Sequence, residues 1–159
     1  MSAQLQKITP MLWFDGQAQA AAEHYVSIFE ESAVGHISRQ PDGSPLVVEF
    51  TLAGQTFTAI NGGPQYAFTP AVSFVVDCTT AEEVDHYWER LGEGGDPEAQ
   101  QCGWLKDKYG VSWQVVPRQL YEYMSDPDPE KAGRTVQAML QMKKLDVEAL
   151  RRAHDGEPA

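Results

Sequence analysis

Apolar residues in this chain come in short runs separated by turn signals, and the runs recur in a fixed order. Ile8, Met11, Leu12, Trp13 and Phe14 make a short apolar strand over residues 8–14, closed by Asp15 and Gly16. Ala18, Ala22, Tyr25, Val26 and Phe29 then fall at helical spacing and predict an amphipathic helix. Residues 46–53 and 56–61 are β-rich runs around Ala53, Gly54 and Gln55, the pattern of a hairpin. Asn61, Gly62, Gly63 and Pro64 break the pattern. The cycle restarts with a second apolar strand over 71–76. Thr80 and Glu83 have the spacing of a capping box, and Val84, Tyr87, Trp88 and Leu91 form the buried stripe of the helix it opens. Residues 92–97 end that helix. Residues 102–106 and 111–116 predict a second hairpin, turning through Asp107, Lys108, Tyr109 and Gly110.

The two cycles match in detail. Asp15 precedes His24 and Tyr25 by the same interval that separates Asp77 from His86 and Tyr87, an offset of 62. The stretch from Gly54 to Ile60 parallels that from Gly110 to Val116 at an offset of 56, so the second copy is six residues shorter between helix and last strand. Such self-similarity implies a duplicated supersecondary unit. The expected fold is α+β: two copies of strand, helix and hairpin, modules 6–63 and 70–117, in one domain, each sheet leaving a face free to enclose a shared cleft. A C-terminal helical extension spans 118–155. Asp126, Pro127, Asp128 and Pro129 read as a helix start, followed by helices over 130–142 and 145–153, with Val136, Met139 and Leu140 as a buried face.

Composition narrows the partners. The chain of 159 residues suits one domain. Its 12 basic and 23 acidic residues, a net charge of -11, argue against nucleic acid, which needs clustered Lys and Arg. An acidic surface is first a solubility device, and beyond that favours a neutral or cationic ligand. The first ten residues lack a signal-peptide pattern, and no run is long enough to span a bilayer. Cys78 and Cys102 have no CxxC spacing and read as free thiols in a reducing, cytoplasmic setting.

Three stretches carry a family resemblance: residues 8–16 (ITPMLWFDG), 57–64 (FTAINGGP) and 102–114 (CGWLKDKYGVSWQ). On these the sequence resembles the PhnB-like branch of the vicinal-oxygen-chelate (glyoxalase/bleomycin-resistance) superfamily. In particular it looks like proteins labelled as a 3-demethylubiquinone 3-methyltransferase-like domain. The resemblance implies paired βαβββ modules, a homodimer and a small-molecule cleft. It does not imply one activity, because the superfamily hosts lyases, dioxygenases, isomerases and binding proteins.

Metal-dependent members place His, Gln or Glu ligands on the first and last strand of each module. The repeat offsets put those positions at Thr9, Ala71, Thr58 and Gln114. Zinc, nickel or iron wants imidazole, carboxylate or thiolate, and here only Gln114 has ligand character, so no metal is expected. A displaced site using His36 or His86 is the less favoured alternative, and His24 and His86 read as helix-packing or surface residues. A methyltransferase of the usual α/β type needs a Gly-rich first turn opening a helix, whereas Gly62 and Gly63 follow a hairpin strand and read as an inter-module connection. No cofactor is expected. Cys102, Trp104 and Lys106 alternate onto one strand face, where a nearby ammonium would activate a thiol, but Cys102 reads better as a small buried residue with Lys106 solvated at the rim. Ser73 has no His partner.

Trp13, Thr58, Ser73, Trp104 and Gln114 combine aromatic faces with a few neutral polar groups, the make-up of a small-molecule site. Trp113, Phe57 and Phe74 fall on the helix-facing side as core. The leading expectation is therefore a metal-independent, small-molecule-binding homodimer, one form of which is bleomycin-resistance-like sequestration of a cationic drug. The alternative is an enzyme, either a metal-dependent lyase or dioxygenase with atypical ligands or a methyltransferase-like protein. A third reading makes dimerisation the task of the C-terminal helices.

Overall fold

In the computed structural model, which describes residues 6–158, the first cycle becomes β1 (Met11–Phe14), α1 (Ala18–Val26), β2 (Ala33–Arg39), β3 (Pro45–Leu52) and β4 (Gln55–Asn61). The strands form one sheet in the order β1-β4-β3-β2, with β1 parallel to β4 and the other pairs antiparallel. Alternation sends Leu12, Phe14, Val48, Phe50, Leu52, Phe57 and Ala59 to the buried face, where α1 lays Ala18, Ala21, Ala22 and Tyr25. Small Ala side chains let helix and sheet approach closely, and Tyr25 stacks on Phe50, which stacks on Phe57. Each fully buried large side chain contributes about 1.5–3 kcal/mol. Gln17 offers α1 no side-chain cap; instead Asn61 accepts the Ala18 N–H at 2.9 Å and donates to the Pro45 carbonyl at 3.0 Å. A strand end thus caps a helix and locks it to the sheet.

The expected β3–β4 hairpin forms, with Ala53 and Gly54 both in the left-handed region of a two-residue turn. Strand β2 was not located from the sequence. Its pairing with β3 shifts register between Val34 and Ile37, so its two largest apolar residues stand three apart rather than two. A bulge of this kind erases the period-two signal.

A second compact unit begins at Thr69. It contains β5 (Phe74–Cys78), α2 (Ala81–Gly92), β6 (Trp104–Lys106), β7 (Ser112–Pro117) and three helices, α3 (Arg118–Met124), α4 (Pro129–Met139) and α5 (Val147–Asp155). The sheet order is β5-β7-β6, with β5 parallel to β7. The arrangement repeats the first unit with one strand fewer. Where β2 would recur there is a turn of 3₁₀ helix at Pro97–Ala99, which accounts for the shorter second copy. Gly95 in this segment lies so close to β6 that a Cβ would sit 2.0 Å from the Lys106 carbonyl oxygen. Thr80 caps α2 as expected, accepting from the Glu83 N–H at 3.1 Å, but the Glu83 carboxylate accepts from the Thr79 hydroxyl instead of closing the box.

The β6–β7 turn is organised by Asp107. Its buried carboxylate accepts the N–H groups of Tyr109 at 2.8 Å and Val111 at 3.0 Å on one oxygen, and the Trp113 indole N–H at 2.8 Å on the other. A buried charge is tolerable only when donors surround it in this way.

Two corrections concern the extension. Helix α3 was not anticipated: only Leu120 is buried in it, too little for a periodic signal. Leu140, expected in the buried face, is 46% exposed because α4 ends at Met139. The apolar cluster comprises Val116, Leu120, Leu145 and Leu150, with Val136 and Met139 only half-buried. Helix α5 is also held through His154, whose ring stacks on Tyr123. Its Nδ1 meets Asp155 at 2.9 Å and its Nε2 meets Asp126 at 2.7 Å. Among the described residues no helix is long and apolar enough to cross a membrane.

Two predictions arise here. Asp107→Ala leaves buried N–H groups unsatisfied and is expected to cost about 3 kcal/mol or more in urea unfolding, whereas an exposed control such as Asp42→Ala should change stability far less. His154 satisfies both carboxylates only as the doubly protonated cation, and the bonds to Asp155 and then Asp126 raise its pKa. Its contribution is full below the unfolded value of about 6.5 and is lost as pH rises through the raised folded value. Unfolding of the wild type should therefore become easier as pH rises from about 6.5 through the raised folded value, and His154→Gln should flatten that slope.

Candidate functional site

In the second unit α2 covers one face of the sheet, and the strand register sets what stands on the other. Leu105 and Trp113 pair beneath the sheet, both buried, with the Phe74 ring 5.4 Å from Trp113. The opposite face therefore carries Trp104 beside Gln114 and Gln114 beside Val75 in one cross-strand row. Val75 is 51% exposed, and Trp104 and Gln114 are half-buried. Gln114 Nε2 donates to the Ser73 hydroxyl at 3.0 Å. The structure thus brings together three of the five proposed ligand-binding residues: Ser73, Trp104 and Gln114. Lys106 stands on the same face, two residues beyond Trp104.

Trp13 and Thr58 lie on the open face of the first sheet, in neighbouring rows: Met11 pairs with Thr58 and Trp13 with Ile60. Trp13 is strongly constrained. Its indole N–H donates to the Gly63 carbonyl at 2.9 Å, Tyr66 packs edge-on at 5.0 Å, and the ring lies against Gly62, where a Cβ would fall 2.2 Å from it. Its single donor is consumed, leaving only ring surface for contact. The Thr58 hydroxyl points toward the Pro10 carbonyl at 3.4 Å. Beside Thr58 stands the exposed Glu49, which the sequence reading passed over although alternation in β3 places it on this face.

The strand register also revises the ligand positions read from the repeat. Thr58 pairs with Met11 and Gln114 with Val75, so the opening strands correspond at an offset of 64 rather than 62. The connection from strand to helix is shorter in the second copy. Thr9 is then equivalent to Ser73 instead of Ala71, and because the shift is even, every face assignment survives. The revised set is Thr9, Thr58, Ser73 and Gln114. It holds no imidazole, carboxylate or thiolate, and so does not fit the zinc, nickel or iron of metal-dependent relatives. Among the described residues no three His, Cys, Asp or Glu side chains gather in a metal-binding arrangement. His24 and His86 lie on α1 and α2 in ring contact with Tyr25 and Tyr87, and His36 is exposed on β2.

Neither cysteine is placed as a paired nucleophile. Cys102 does not alternate with Trp104 and Lys106 on a strand. It occupies a tight turn between Gln101 and Trp104 with φ of +53, its N–H donating to Met142 at 2.8 Å and Gly103 donating to Lys143 at 2.8 Å. The turn is a docking point for the C-terminal segment. Burial, then the charges of Glu83 and Asp77, push the Cys78 thiol up to about 12.

The sequence profile of the 3-demethylubiquinone-9 3-methyltransferase family matches residues 6–116, from before β1 almost to the end of β7. A PhnB protein from Bacillus cereus that bears the same methyltransferase name is 38% identical, covering 70% of this chain and 99% of that chain, with a TM-score of 0.63. Protein PA1353 from Pseudomonas aeruginosa is 17% identical over 71% of this chain and 98% of that chain. Its TM-score is 0.57, a likeness of fold alone. No curated protein matches.

Two predictions belong to these sites. Gly62→Ala should displace the Trp13 ring and cost about 2–4 kcal/mol, and the combination with Trp13→Ala should cost clearly less than the sum of the two single changes. In native protein at about pH 8 a thiol reagent should modify Cys102 and spare Cys78 until denaturant is added, which peptide mapping would read directly.

Proposed function

This chain belongs to the 3-demethylubiquinone-9 3-methyltransferase family, in the PhnB-like branch of the vicinal-oxygen-chelate superfamily, and we propose that it binds a small organic molecule without a resident divalent metal. The observation that supports this reading is the Trp104, Gln114 and Ser73 constellation. An aromatic face lies beside an amide held at a fixed angle by its bond to a serine hydroxyl, on a half-buried sheet surface. Such a surface gives apolar contact area with a few orienting hydrogen bonds. Gln114 spends one amide hydrogen on Ser73, and among the described residues its carbonyl oxygen takes no hydrogen bond. Trp13 and Thr58, on the first sheet, are part of the same proposal, Trp13 through its ring and Thr58 through its hydroxyl.

The absence of a resident metal is argued from donor chemistry. Thr and Ser hydroxyls are weak neutral ligands, and a lone amide oxygen does not hold a transition ion. Methyl transfer, the activity in the family's name, has less support. Gly62 and Gly63 close β4 and no helix opens between them and β5, so no helix N-terminus is offered to a cofactor there. A homodimer is part of the reading, with Tyr121, Met124 and Leu140 exposed on and beside the C-terminal helices.

The test is elemental mass spectrometry on protein never exposed to a chelator, followed by ligand-detected NMR against a fragment library. We expect no stoichiometric transition metal, and aromatic fragments whose binding weakens about tenfold in Gln114→Ala. Roughly one metal ion per chain would overturn the metal-free reading. Fragment binding unaffected by both Gln114→Ala and Trp104→Ala would overturn the site.

A further inference from the structure

Lys106 gives the open face of the second sheet a charge that no ion pair among the described residues answers. It stands on β6 two residues from Trp104, which puts their Cα atoms roughly 7 Å apart along one face. It pairs with Ser112, making it the diagonal neighbour of Gln114 across the β6–β7 ladder. The side chain is half-buried, yet among the described residues Lys106 forms no ion pair, in a chain where acidic residues outnumber basic ones 23 to 12. Three other cations of this unit are engaged. Arg118 pairs with Asp77, Lys144 with Asp85, and Arg151 with Glu148, Asp155 and Glu157.

Two carboxylates close to Lys106 in chain or sheet are already committed. Asp107 follows it directly but is buried and accepts from Tyr109, Val111 and Trp113. Asp77, on β5 and in phase with Ser73 and Val75, holds Arg118. A half-buried lysine without an ion-pair partner leaves room for a bound group to supply the opposite charge. The net charge of -11 repels anions at long range. That repulsion is screened beyond about 8 Å at physiological ionic strength, whereas a contact with Lys106 acts inside that distance.

Resting on the reading that this face is the ligand site, we infer that the ligand is an anionic planar molecule, of the aryl carboxylate class. Its ring stacks on Trp104, its carboxylate meets Lys106, and a polar substituent or carboxylate oxygen reaches the Gln114 amide. This reverses the preference for a cationic ligand that overall charge alone suggests. Trp104 supplies a π surface for the ring, Lys106 a charge-assisted donor, and Gln114 a donor and an acceptor at fixed register.

The experiment compares three probes of one shape: 2-naphthoate, 2-naphthamide and 2-naphthylmethylammonium. Each is titrated by calorimetry into wild type, Lys106→Met, Lys106→Arg and Gln114→Ala, with thermal melts to confirm folding. We expect wild type to bind naphthoate about tenfold or more tighter than naphthamide, Lys106→Met to lose that preference, and Lys106→Arg to retain most of it. Equal affinity for acid and amide in wild type, or a preference for the ammonium, would overturn the ligand class and leave the binding-site reading standing. A preference for the acid that survives Lys106→Met would refute the role of Lys106. Binding of none of the probes to any protein would count against the site itself and the inference together.

Discussion

The carboxylate of Asp107 holds together the part of the molecule to which a function can be attached. It is buried, charged, and surrounded by N–H donors from Tyr109, Val111 and Trp113. Because the two backbone donors belong to the turn and the third to a side chain of β7, this one group fixes both the turn and the phase of the strand after it. With Trp113 drawn beneath the sheet toward Asp107, strict alternation leaves Gln114 no choice but the opposite face. The same phase puts Leu105 below and Trp104 and Lys106 above. The proposed ligand surface is thus a consequence of how a buried charge is satisfied elsewhere.

Close backbone approaches complete the frame. Gly95 lies against the Lys106 carbonyl, Gly103 against Leu145, and Gly62 against the Trp13 ring, each at a distance that a side chain would violate. The Gly103 contact has a particular role. It lets the turn before β6 donate two backbone hydrogen bonds to Met142 and Lys143, so the C-terminal helices are docked through main chain as well as through Leu145 and Leu150. These helices follow the segment matched by the family profile, yet the connection between α4 and α5 is bonded to the turn that leads into the Trp104 strand. His154 adds a proton-dependent tie to the same helices, since an imidazole between two carboxylates bonds both only when charged.

The site differs in chemistry from what the superfamily name evokes. Positions that would hold metal ligands carry Thr9, Thr58, Ser73 and Gln114. Two of these, Ser73 and Gln114, bond to each other and so form a rigid polar pair instead of a coordination sphere. On the proposed reading, this pair and the Trp104 ring make a surface suited to stacking and hydrogen bonding. The adjacent Lys106 then sets the sign of charge such a surface would accept.

Hydrophobic period and turn chemistry were enough to determine the α+β class, the duplicated order of strand, helix and hairpin, the cap at Thr80, and the faces of Phe57, Trp113 and Gln114. Each of these depends on residues within a few positions of one another, where alternation and capping act directly. Strand β2 was hidden because its bulge breaks the period, and α3 because one buried residue makes no pattern. Other features required tertiary structure: the two-residue slip that makes Ser73, not Ala71, the partner position of Thr9; the turn conformation that takes Cys102 off the strand; and the exposure of Leu140. That Lys106 forms no ion pair among the described residues was equally beyond the sequence. Whether a lysine is paired depends on where distant carboxylates are spent, and that is decided only when the strands are brought into register and Asp107 and Asp77 have found their donors.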